Sequence, residues 1–567
     1  MNAAIVGLFC LVTLLLAFRF FGKYLDVKIF KLNAKAPVPS HEFKDNKDYV
    51  PTNRFVLFGH HFASIAGAAP IIGPAIAVIW GWVPALLWVL LGTIVWGATH
   101  DFGALVLSVR SKGKSIGELA KDIIGTKATT AYMIIIYFVV ILLSAVFYLA
   151  IAGLLISYPA IVFPVFALMG TAMLIGILIY RTPIGLKPAS LVGIIFMLFA
   201  IWWGTGHPYP MPETTFLGTD KFTWVTILAF YGFIASILPI WLLLQPRDYL
   251  ESFQLYAGLI LIYLGLFFTA PHFVAPAFRT NIPGAPPLWP FLFVTIACGA
   301  LSGYHSIVSS GTSSKQLNNE KDAKLVGYGG MLAEGSLGIL SVLVCTAGFA
   351  TTGLWLKHYA SWGHASGLGA KLSAFVDGAS GFISHLGIPP SLSQTFVALI
   401  IVSFAMTTLD TSCRLGRYIV SEFGDQQNLS IFQNKYVASF MSAGVAYVLA
   451  IGLYGGKPAG ILLWPLFGTT NQLLASLVFA TLTIYLLRKK SPTWPTALPA
   501  VIVTITTLSA MIWNIKEFVT AKNWILALVG GIILIAALVL IYLSTVAYLK
   551  KKTGNQVKDE CLRNLKQ

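Results

Sequence analysis

The sequence predicts an all-α polytopic membrane protein, and three observations support that prediction. Apolar residues make up 57% of the chain and charged residues only 10%, against about 45–50% and about 25% in soluble domains. The apolar residues recur in runs of the ~20 residues that a helix needs to cross a bilayer. The basic residues lie in short clusters between these runs, as in membrane loops. Because they form no continuous patch, the net charge of +17 does not predict a nucleic-acid partner.

The apolar runs predict about fifteen membrane-spanning helices. The Gly-rich segment 355–391 is interpreted as an outward loop, although it could instead hold re-entrant helices that would raise the number to 16–18. The predicted spans are 2–22, 55–79, 82–109, 128–155, 159–180, 188–205, 222–245, 254–274, 289–310, 325–354, 392–413, 436–455, 459–487, 495–514 and 524–548.

The distribution of Lys and Arg predicts how these spans are oriented. With the N-terminus outside, the inward loops, among them 246–253, hold 30 of the 38 basic residues, and the outward loops hold seven. Such an excess of basic residues on one side marks the cytoplasmic face. We therefore expect a multi-pass protein of a bacterial inner membrane, with a periplasmic N-terminus and a cytoplasmic C-terminus.

Helix breakers interrupt two of the predicted spans at mid-depth. Span 55–79 contains a Gly- and Pro-rich cluster from Gly67 to Pro74, and span 222–245 contains Ser236 to Pro239. Proline inside a helix removes a backbone hydrogen bond, and in lipid the freed groups need protein, water or a ligand as partners. For Pro239 alone, a packing kink is an equal alternative. Backbone N–H groups near the first break suit a carboxylate. The predicted substrate-binding residues are His60, His61, Ser64, Gly67, Ala68, Ala69, Pro70, Ser236 and Pro239.

The two broken spans also predict an internal repeat. Four other spans separate them, and in the predicted topology they cross the membrane in opposite directions. This is the arrangement of a five-plus-five inverted repeat with its site at the midplane. Residues 55–413 would form this transport core. Residues 1–54 would add a helix and a basic cytoplasmic loop, and residues 414–567 would add further helices and a basic cytoplasmic tail.

Ionisable residues inside the predicted spans are candidates for coupling to an ion. A charge near mid-bilayer costs about 2.5–3.5 kcal/mol or more, so each needs a partner or a role. Histidine titrates near neutral pH and can carry a proton. The alternative for each polar side chain is a hydrogen bond between packed helices. The candidates for ion coupling or a proton relay are His100, Asp101, His305, Ser309, Ser310 and Glu334.

Asp410 and Arg414 lie four residues apart at the inward end of span 392–413. This spacing predicts an i,i+4 ion pair on a helix. We interpret the pair either as a cytoplasmic gate or as a purely structural contact. The five cysteines show no paired or metal-type spacing, so no metal or other cofactor is expected.

Eight stretches of the sequence together resemble the carbon starvation protein A family of bacterial inner-membrane transporters. The resemblance runs from about residue 50 to residue 490, and one departure is Ala69, where the family motif has glycine. The stretches are Gly59–Pro74, Gly97–Phe102, Gly113–Leu119, Leu244–Tyr249, Ala297–Ser306, Gly311–Gln316, Thr407–Thr411 and Trp464–Gln472.

The resemblance implies a secondary transporter that imports peptides under carbon starvation or, alternatively, a proton-coupled pyruvate symporter. It also implies kinship with the amino acid–polyamine–organocation superfamily, which agrees with the predicted repeat. The expected partners are a peptide or pyruvate, a coupling proton or sodium ion, and the lipid bilayer. The sequence leaves the oligomeric state open. A primary pump is not expected because no Gly-x-x-x-x-Gly-Lys-Ser/Thr loop is present. An enzyme is not expected because the sequence has no nucleophile elbow, and a channel is not expected because it has no repeated filter.

Overall fold

The computed structural model describes residues 1–45, 48–181, 186–215, 217–239, 242–366, 368–452 and 459–564. Within these ranges eleven helices are long and apolar enough to cross a membrane, or up to twelve if one bent pair counts as a single span. A multi-pass, mainly helical membrane protein is therefore confirmed. The fifteen unbroken spans are not, because several of the predicted spans are short or interrupted helices.

The first half of the chain contains thirteen α-helices and one small hairpin in its described residues. They are α1 Ala3–Arg19, α2 Phe21–Tyr24, α3 Pro39–Glu42, α4 Arg54–Ala66, α5 Ala69–Ala77, α6 Trp82–Leu91, α7 Ala98–Val109, α8 Ile116–Ile123, α9 Thr126–Ser157, α10 Val162–Arg181, α11 Leu186–Gly206, the antiparallel strands β1 Thr214–Thr215 and β2 Gly218–Thr219, α12 Asp220–Ile237 and α13 Leu244–Thr269.

The second half adds twelve α-helices in its described residues. They are α14 Leu288–Thr295, α15 Tyr304–Gly311, α16 Gly330–Ala347, α17 Thr352–Tyr359, α18 Trp362–Ser366, α19 Leu368–Ser384, α20 Pro390–Gln427, α21 Ser430–Gln433, α22 Lys435–Ile451, α23 Ala459–Arg488, α24 Trp494–Thr520 and α25 Trp524–Asn564.

Local sequence signals explain where several helices begin. The side chain of Asn53 accepts a hydrogen bond from the Phe55 N–H at 3.0 Å and so caps α4. Ser115 and Glu118 form a reciprocal capping box at the start of α8. Pro390 occupies the first turn of α20, where its missing N–H costs nothing.

Four long helices form the centre of the molecule. More than four-fifths of the most apolar stretch of α9, α20, α23 and the helix that includes α16 is buried. The outer helices α1, α13, α24 and α25 bury only 33–39% of the corresponding stretch. Their remaining surface carries large apolar side chains, which is the surface expected to face lipid tails. On α25 these include Ile525, Leu528, Ile535 and Leu538.

The first predicted break is confirmed. Helices α4 and α5 meet at an angle of 46° across Gly67 and Ala68. Gly67 has a φ of +49°, a conformation that glycine adopts readily and other residues rarely adopt. A Cβ atom at this position would also lie 2.3 Å from the Oγ1 atom of Thr408 on α20. Glycine is therefore required here by both backbone conformation and space.

The second break lies in a different place from the one predicted. Helix α12 ends at Ile237, and Pro239 lies beyond its end, so the Ser236–Pro239 stretch terminates a helix rather than breaking a span. Instead, the predicted span 289–310 is divided into α14 and α15 by non-helical residues 296–303. The unbroken span 289–310 was therefore a wrong prediction. Gly299, with a φ of +87°, explains part of this interruption.

The predicted inward loop 246–253 is also wrong, because these residues form the first turns of α13. Arg247, Asp248 and Glu251 are buried there, with no more than 7% of any of the three exposed. Their charges were the reason for predicting a loop. Mutual pairing between helices is what allows such residues to be buried.

Segment 355–391 is largely helical. Helices α17, α18 and α19 occupy it, and α19 buries Phe375, Val376, Ala379 and Ile383 against the central helices. The boundary predicted between residues 413 and 414 lies within α20, which continues to Gln427. The three-part division of the chain and the five-plus-five repeat remain predictions.

Candidate functional site

The two broken helices meet near the centre of the molecule. A Cβ atom on Gly299 would lie 3.3 Å from Cβ of Pro70, and one on Gly73 would lie 2.6 Å from the carbonyl oxygen of Thr295. Helix α5 therefore packs directly against residues 295–299. Glycine permits this approach because a side chain at either position would separate the two segments.

Side chains from neighbouring helices bond several of the polar backbone groups that the second break frees. Four carbonyl groups accept hydrogen bonds: Gln472 donates to Phe293 at 2.8 Å, Trp464 to Thr295 at 3.3 Å, Trp88 to Ile296 at 3.2 Å and Thr93 to Gly299 at 2.7 Å. Asn471 accepts two further bonds. Its backbone carbonyl accepts the Gly303 N–H at 3.1 Å, and its side-chain Oδ1 accepts the Tyr304 N–H at 2.8 Å. The second break is thus held in a fixed arrangement by the protein itself.

The first break has far fewer partners. The N–H groups of Gly67, Ala68 and Ala69 have no hydrogen-bond acceptor among the described residues. Only Ser341 donates a side-chain bond here, to the Ile71 carbonyl at 2.8 Å. Buried N–H groups are nearly always paired. Three free donors in a row at the N-terminus of α5 therefore form a potential anion site.

A fully buried ionic cluster adjoins the second break. His305 on α15 faces Asp101 of α7 through Nδ1 at 2.8 Å and Glu334 of α16 through Nε2 at 3.1 Å. Asp101 also contacts Nδ1 of His100 at 2.8 Å. The second carboxylate oxygen of Glu334 accepts the Gly299 N–H at 2.9 Å. The structure therefore joins four of the six predicted coupling residues, and it connects them to the backbone of the break.

The helices that carry the two acids share a local irregularity. A π-helical turn at Gly92–Gly97 precedes Asp101, and another at Lys324–Gly329 precedes Glu334. Such turns are frequent at functional sites because they shift the side chains that follow them. A Cβ atom on Gly97 would lie 2.3 Å from the carbonyl oxygen of Ala300, so the first π turn also touches the second break.

A second buried ionic cluster joins α12, α13 and α20. Nη1 of Arg247 lies 2.5 Å from Asp410 and 2.7 Å from the hydroxyl of Tyr231. Its Nε lies 3.2 Å from Glu251, and its Nη2 donates to Thr407 at 2.8 Å. Thr407 also donates to Glu251. Its neighbour Thr408 contacts Gly67, so this cluster stands beside the first break.

The predicted Asp410–Arg414 ion pair is wrong. Asp410 pairs with Arg247, and Arg414 instead donates to the carbonyl groups of Ala235 and Leu238 at 2.7 and 2.6 Å. The i,i+4 spacing on α20 brought the two residues near each other, but better acceptors lay on the neighbouring helix. The carbonyl groups at the end of α12 have no intrahelical donor, and a guanidinium group satisfies two of them.

Comparison with known proteins identifies the family. The model of the family described as Carbon starvation protein CstA matches residues 2–354 and 359–510. The chain belongs to this family. The peptide transporter CstA of Bacillus subtilis is 33% identical to it, with 99% of each chain covered.

Two relatives from Escherichia coli carry different names. The pyruvate/proton symporter BtsT is 32% identical, covering 89% of this chain and 80% of its own. The peptide transporter CstA is 31% identical, covering 88% and 79%. Among solved structures, a manganese transporter of Eremococcus coleocola covers 89% of this chain and 99% of its own, with 12% identity and a TM-score of 0.43.

Several predicted site residues of this CstA-family chain lie at the first break. Gly67, Ala68, Ala69 and Pro70 form the break itself. Ser64 is buried and donates to the His60 carbonyl within its own helix. His61 contacts Ser313 through Nδ1 at 2.7 Å, and its Nε2 has no described partner.

Other predicted residues lie away from the polar clusters or have structural roles. Pro239 is exposed, and Ser236 donates to Phe233 of its own helix. Ser310 accepts the Ile116 N–H at 3.1 Å and so anchors α8. Ser309 is buried, with a hydroxyl that has no hydrogen-bond partner among the described residues.

The sequence analysis missed the side chains that hold the second break and surround Arg247. The signal was present, because Leu244–Tyr249, Thr407–Thr411 and Trp464–Gln472 are among the stretches that resemble the family. Cys298 was also missed. Its sulfur lies with a nitrogen of His305 and an oxygen of Glu334 in a group whose three atoms are all within 4.8 Å of one another.

Proposed function

We propose that this protein is a secondary active transporter that imports peptides across a bacterial inner membrane during carbon starvation. Its relatives in Bacillus subtilis and Escherichia coli are named peptide transporters. The observation that supports the proposal most directly is the row of free N–H groups at Gly67–Ala69 inside a broken helix. In transporters, such breaks supply backbone donors to anionic substrate groups near the midplane.

The C-terminal carboxylate of a peptide is the group that would bind at the first break. Three adjacent N–H donors at the positive end of α5 favour one anion. No basic side chain is required to neutralise the bound carboxylate, because the N–H hydrogen bonds and the dipole of α5 both stabilise its negative charge. The peptide's amino terminus would then lie toward the acidic residues around Arg247, which Thr408 connects to Gly67.

The alternative substrate is pyruvate, imported together with a proton. The relative BtsT is named a pyruvate/proton symporter and is 32% identical to this chain, against 33% and 31% for the peptide transporters of Bacillus subtilis and Escherichia coli. Pyruvate also carries one carboxylate, so the anion site at Gly67–Ala69 fits both substrates. The two substrates differ in the rest of the molecule: a peptide also has an amino terminus to be bound, whereas pyruvate has none.

We assign coupling of transport to a cation, either a proton or sodium, to the cluster around His305. Asp101 and Glu334 both face this one imidazole, with His100 beside Asp101. Two carboxylates face the single imidazole of His305, and negative charge in the membrane interior is costly. A cation bound there would offset this charge. Glu334 would also transmit binding to the second break through the Gly299 N–H.

We assign gating on the cytoplasmic side to the contact between α13 and α20. The Arg247–Asp410 pair replaces the predicted Asp410–Arg414 pair in this role, and Arg414 ties α20 to the end of α12. The orientation proposed from the Lys and Arg distribution puts the N-terminus in the periplasm and the C-terminus in the cytoplasm.

Uptake by the purified protein in liposomes tests the proposal. Labelled alanylalanine and labelled pyruvate would be offered separately under an inward proton gradient and then an inward sodium gradient. Accumulation of the dipeptide under one gradient supports peptide import and identifies the ion. Accumulation of pyruvate alone supports the alternative substrate. If neither solute accumulates in protein that is folded and inserted, both substrate assignments are wrong.

A further inference from the structure

Three potential metal ligands from different parts of the chain converge in the molecule's interior. They are Sγ of Cys298 in the second break, a ring nitrogen of His305 on α15 and a carboxylate oxygen of Glu334 on α16. These ligand atoms all lie within 4.8 Å of one another. At most 4% of any of the three residues is exposed. The spacing along the chain gives no hint of this group, because 29 residues separate His305 from Glu334.

The two atoms of this group that face each other make no hydrogen bond. Nε2 of His305 and Oε2 of Glu334 form an ion pair at 3.1 Å, yet neither atom makes a hydrogen bond of suitable geometry with any described residue. Buried side-chain atoms of this kind normally have a partner. The Cys298 thiol donates to Oγ of Ser302 at 3.4 Å. An ion bound between the three ligand atoms would replace that contact and be a common partner to all of them.

Each ligand is also held in place by a second contact. Asp101 accepts from Nδ1 of His305 at 2.8 Å, which directs Nε2 toward the group. The Gly299 N–H fixes the other oxygen of Glu334, and Nδ2 of Asn471 lies 3.6 Å from the Cys298 sulfur. A carboxylate behind a ligating histidine is the usual support of a metal site, because it sets the tautomer and raises the basicity of the ring.

We propose that Cys298, His305 and Glu334 bind one borderline-soft divalent transition-metal ion, with zinc as the expected ion. Zinc takes sulfur, nitrogen and oxygen ligands together in four-coordinate sites, whereas calcium and magnesium prefer oxygen alone. Three protein ligands leave a fourth position for water. The thiolate of Cys298 selects against the hard cations.

The exchange of protons for metal keeps the charge of the cluster balanced. Both ring nitrogens of His305 face carboxylate oxygens, an arrangement that suits a doubly protonated ring. On binding, the Cys298 thiol and Nε2 of His305 would each release one proton to solvent. One divalent cation would then replace two protons, so no additional charge is buried. This exchange makes metal binding weaker as the pH falls.

The bound ion would fix the second break to α16. Cys298 belongs to the break, and Glu334 belongs to the central helix behind it. A metal bond between them would resist any movement of the break during transport. This inference concerns the same His305 cluster to which we assign cation coupling, and it names a divalent metal as a ligand there whatever solute the protein carries.

Metal content and cobalt spectroscopy of the purified full-length protein test the site without a transport assay. The protein would be produced in medium supplemented with zinc, purified without chelator and measured by mass spectrometry for metal per chain. In parallel, protein produced with cobalt would be examined for the near-ultraviolet charge-transfer band of a cobalt–thiolate bond. The variants are C298S, H305N and E334Q. The control is C345S, which removes a different fully buried cysteine on α16.

The expected result is close to one zinc per chain in the wild type and in C345S, with most of it lost in the three site variants. The cobalt–thiolate band should be present in the wild type and C345S and absent from C298S. Thermal unfolding of each variant shows whether it is folded. If H305N does not fold, E334Q still tests the site, because its amide oxygen can accept the Gly299 N–H in place of the carboxylate. Zinc content in the wild type no higher than in C298S would overturn the proposal. So would a cobalt–thiolate band that persists in C298S.

Discussion

The two helix breaks meet at one place but are held in opposite ways. At the second break, seven hydrogen bonds from six side chains and the Asn471 backbone fix carbonyl and N–H groups between Phe293 and Tyr304. At the first, Ser341 supplies one side-chain bond, and three N–H groups have no described acceptor. The helix is interrupted in both, but neighbouring side chains hold only the second break at several points, although the N–H groups of Ala297, Cys298, Ala300 and Ser302 also have no acceptor among the described residues.

This difference assigns separate roles to the two breaks. A break that many side chains already hold moves little when a ligand binds, because each new bond must first replace an old one. A break with free donors gains the full benefit of pairing buried N–H groups. We therefore interpret the second break as a fixed support linked to the ion cluster, and the first as the part that contacts the solute.

The largest effect is expected for G67A, which adds a side chain at the first break. The new Cβ would meet Oγ1 of Thr408 at 2.3 Å, and the φ of +49° would be strained for alanine. We expect uptake in liposomes to fall to background. G170A is the matched control, because a Cβ there meets nothing within 4 Å and the helix is regular. Uptake by G67A at the wild-type rate would show that the shape of this break does not matter for transport.

The next largest effect is expected for E334Q, which tests whether solute binding can be separated from coupling to the driving ion. The variant keeps an oxygen that can accept the Gly299 N–H, so this contact to the second break should remain, but the charge facing His305 is lost. We expect gradient-driven accumulation to be abolished while exchange of labelled for unlabelled solute continues. Replacing the exposed Glu517 by Gln serves as the control. Loss of exchange along with accumulation would mean that Glu334 serves the structure of the break and not coupling.

The sequence predicted the first break and missed the second for a clear physical reason. Gly67–Pro74 carries glycines and prolines that disrupt a helix by themselves. Residues 296–303 contain no proline, and their non-helical path depends on Trp88, Trp464, Asn471 and Gln472, which come from distant parts of the chain. Local propensity cannot reveal a conformation that tertiary contacts impose.

Of the buried ionic residues, the sequence predicted some correctly and placed others wrongly. The burial of Asp101, His305 and Glu334 followed from their place in apolar runs, and the structure brings them together. Arg247 was placed in a loop because it lies between two of the apolar runs that were predicted to cross the membrane. Its partner Asp410 lies 163 residues further along the chain. Only a fold can show that such a charge is neutralised within the membrane.

A moderate effect is expected from loosening the second break, with N471A. This change leaves the Tyr304 N–H without its acceptor and removes a contact to Ser302. An unsatisfied buried group costs about 1–3 kcal/mol, so thermal stability in detergent should fall by a corresponding amount. N514A is the control, because Asn514 is a buried amide that bonds to Pro465 and Thr469 and not to the backbone of either break. Both variants should lose stability, but only N471A should also lose uptake. Equal loss of uptake in both would remove any special role of the second break.

The smallest effect is expected at the single side-chain bond of the first break, with S341A. Removing a hydroxyl that donates to the Ile71 carbonyl costs about 0.5–1.5 kcal/mol at most. S336A is the control on the same helix, because its hydroxyl bonds only to Ala333 one turn earlier. We expect thermal stability to differ little between these two variants and uptake to stay near the wild-type rate in both. The comparison of the two breaks depends on this result. If S341A destabilised the protein as much as N471A, one bond would hold the first break as firmly as seven hold the second, and the free donors at Gly67–Ala69 would no longer mark the break that changes with the solute.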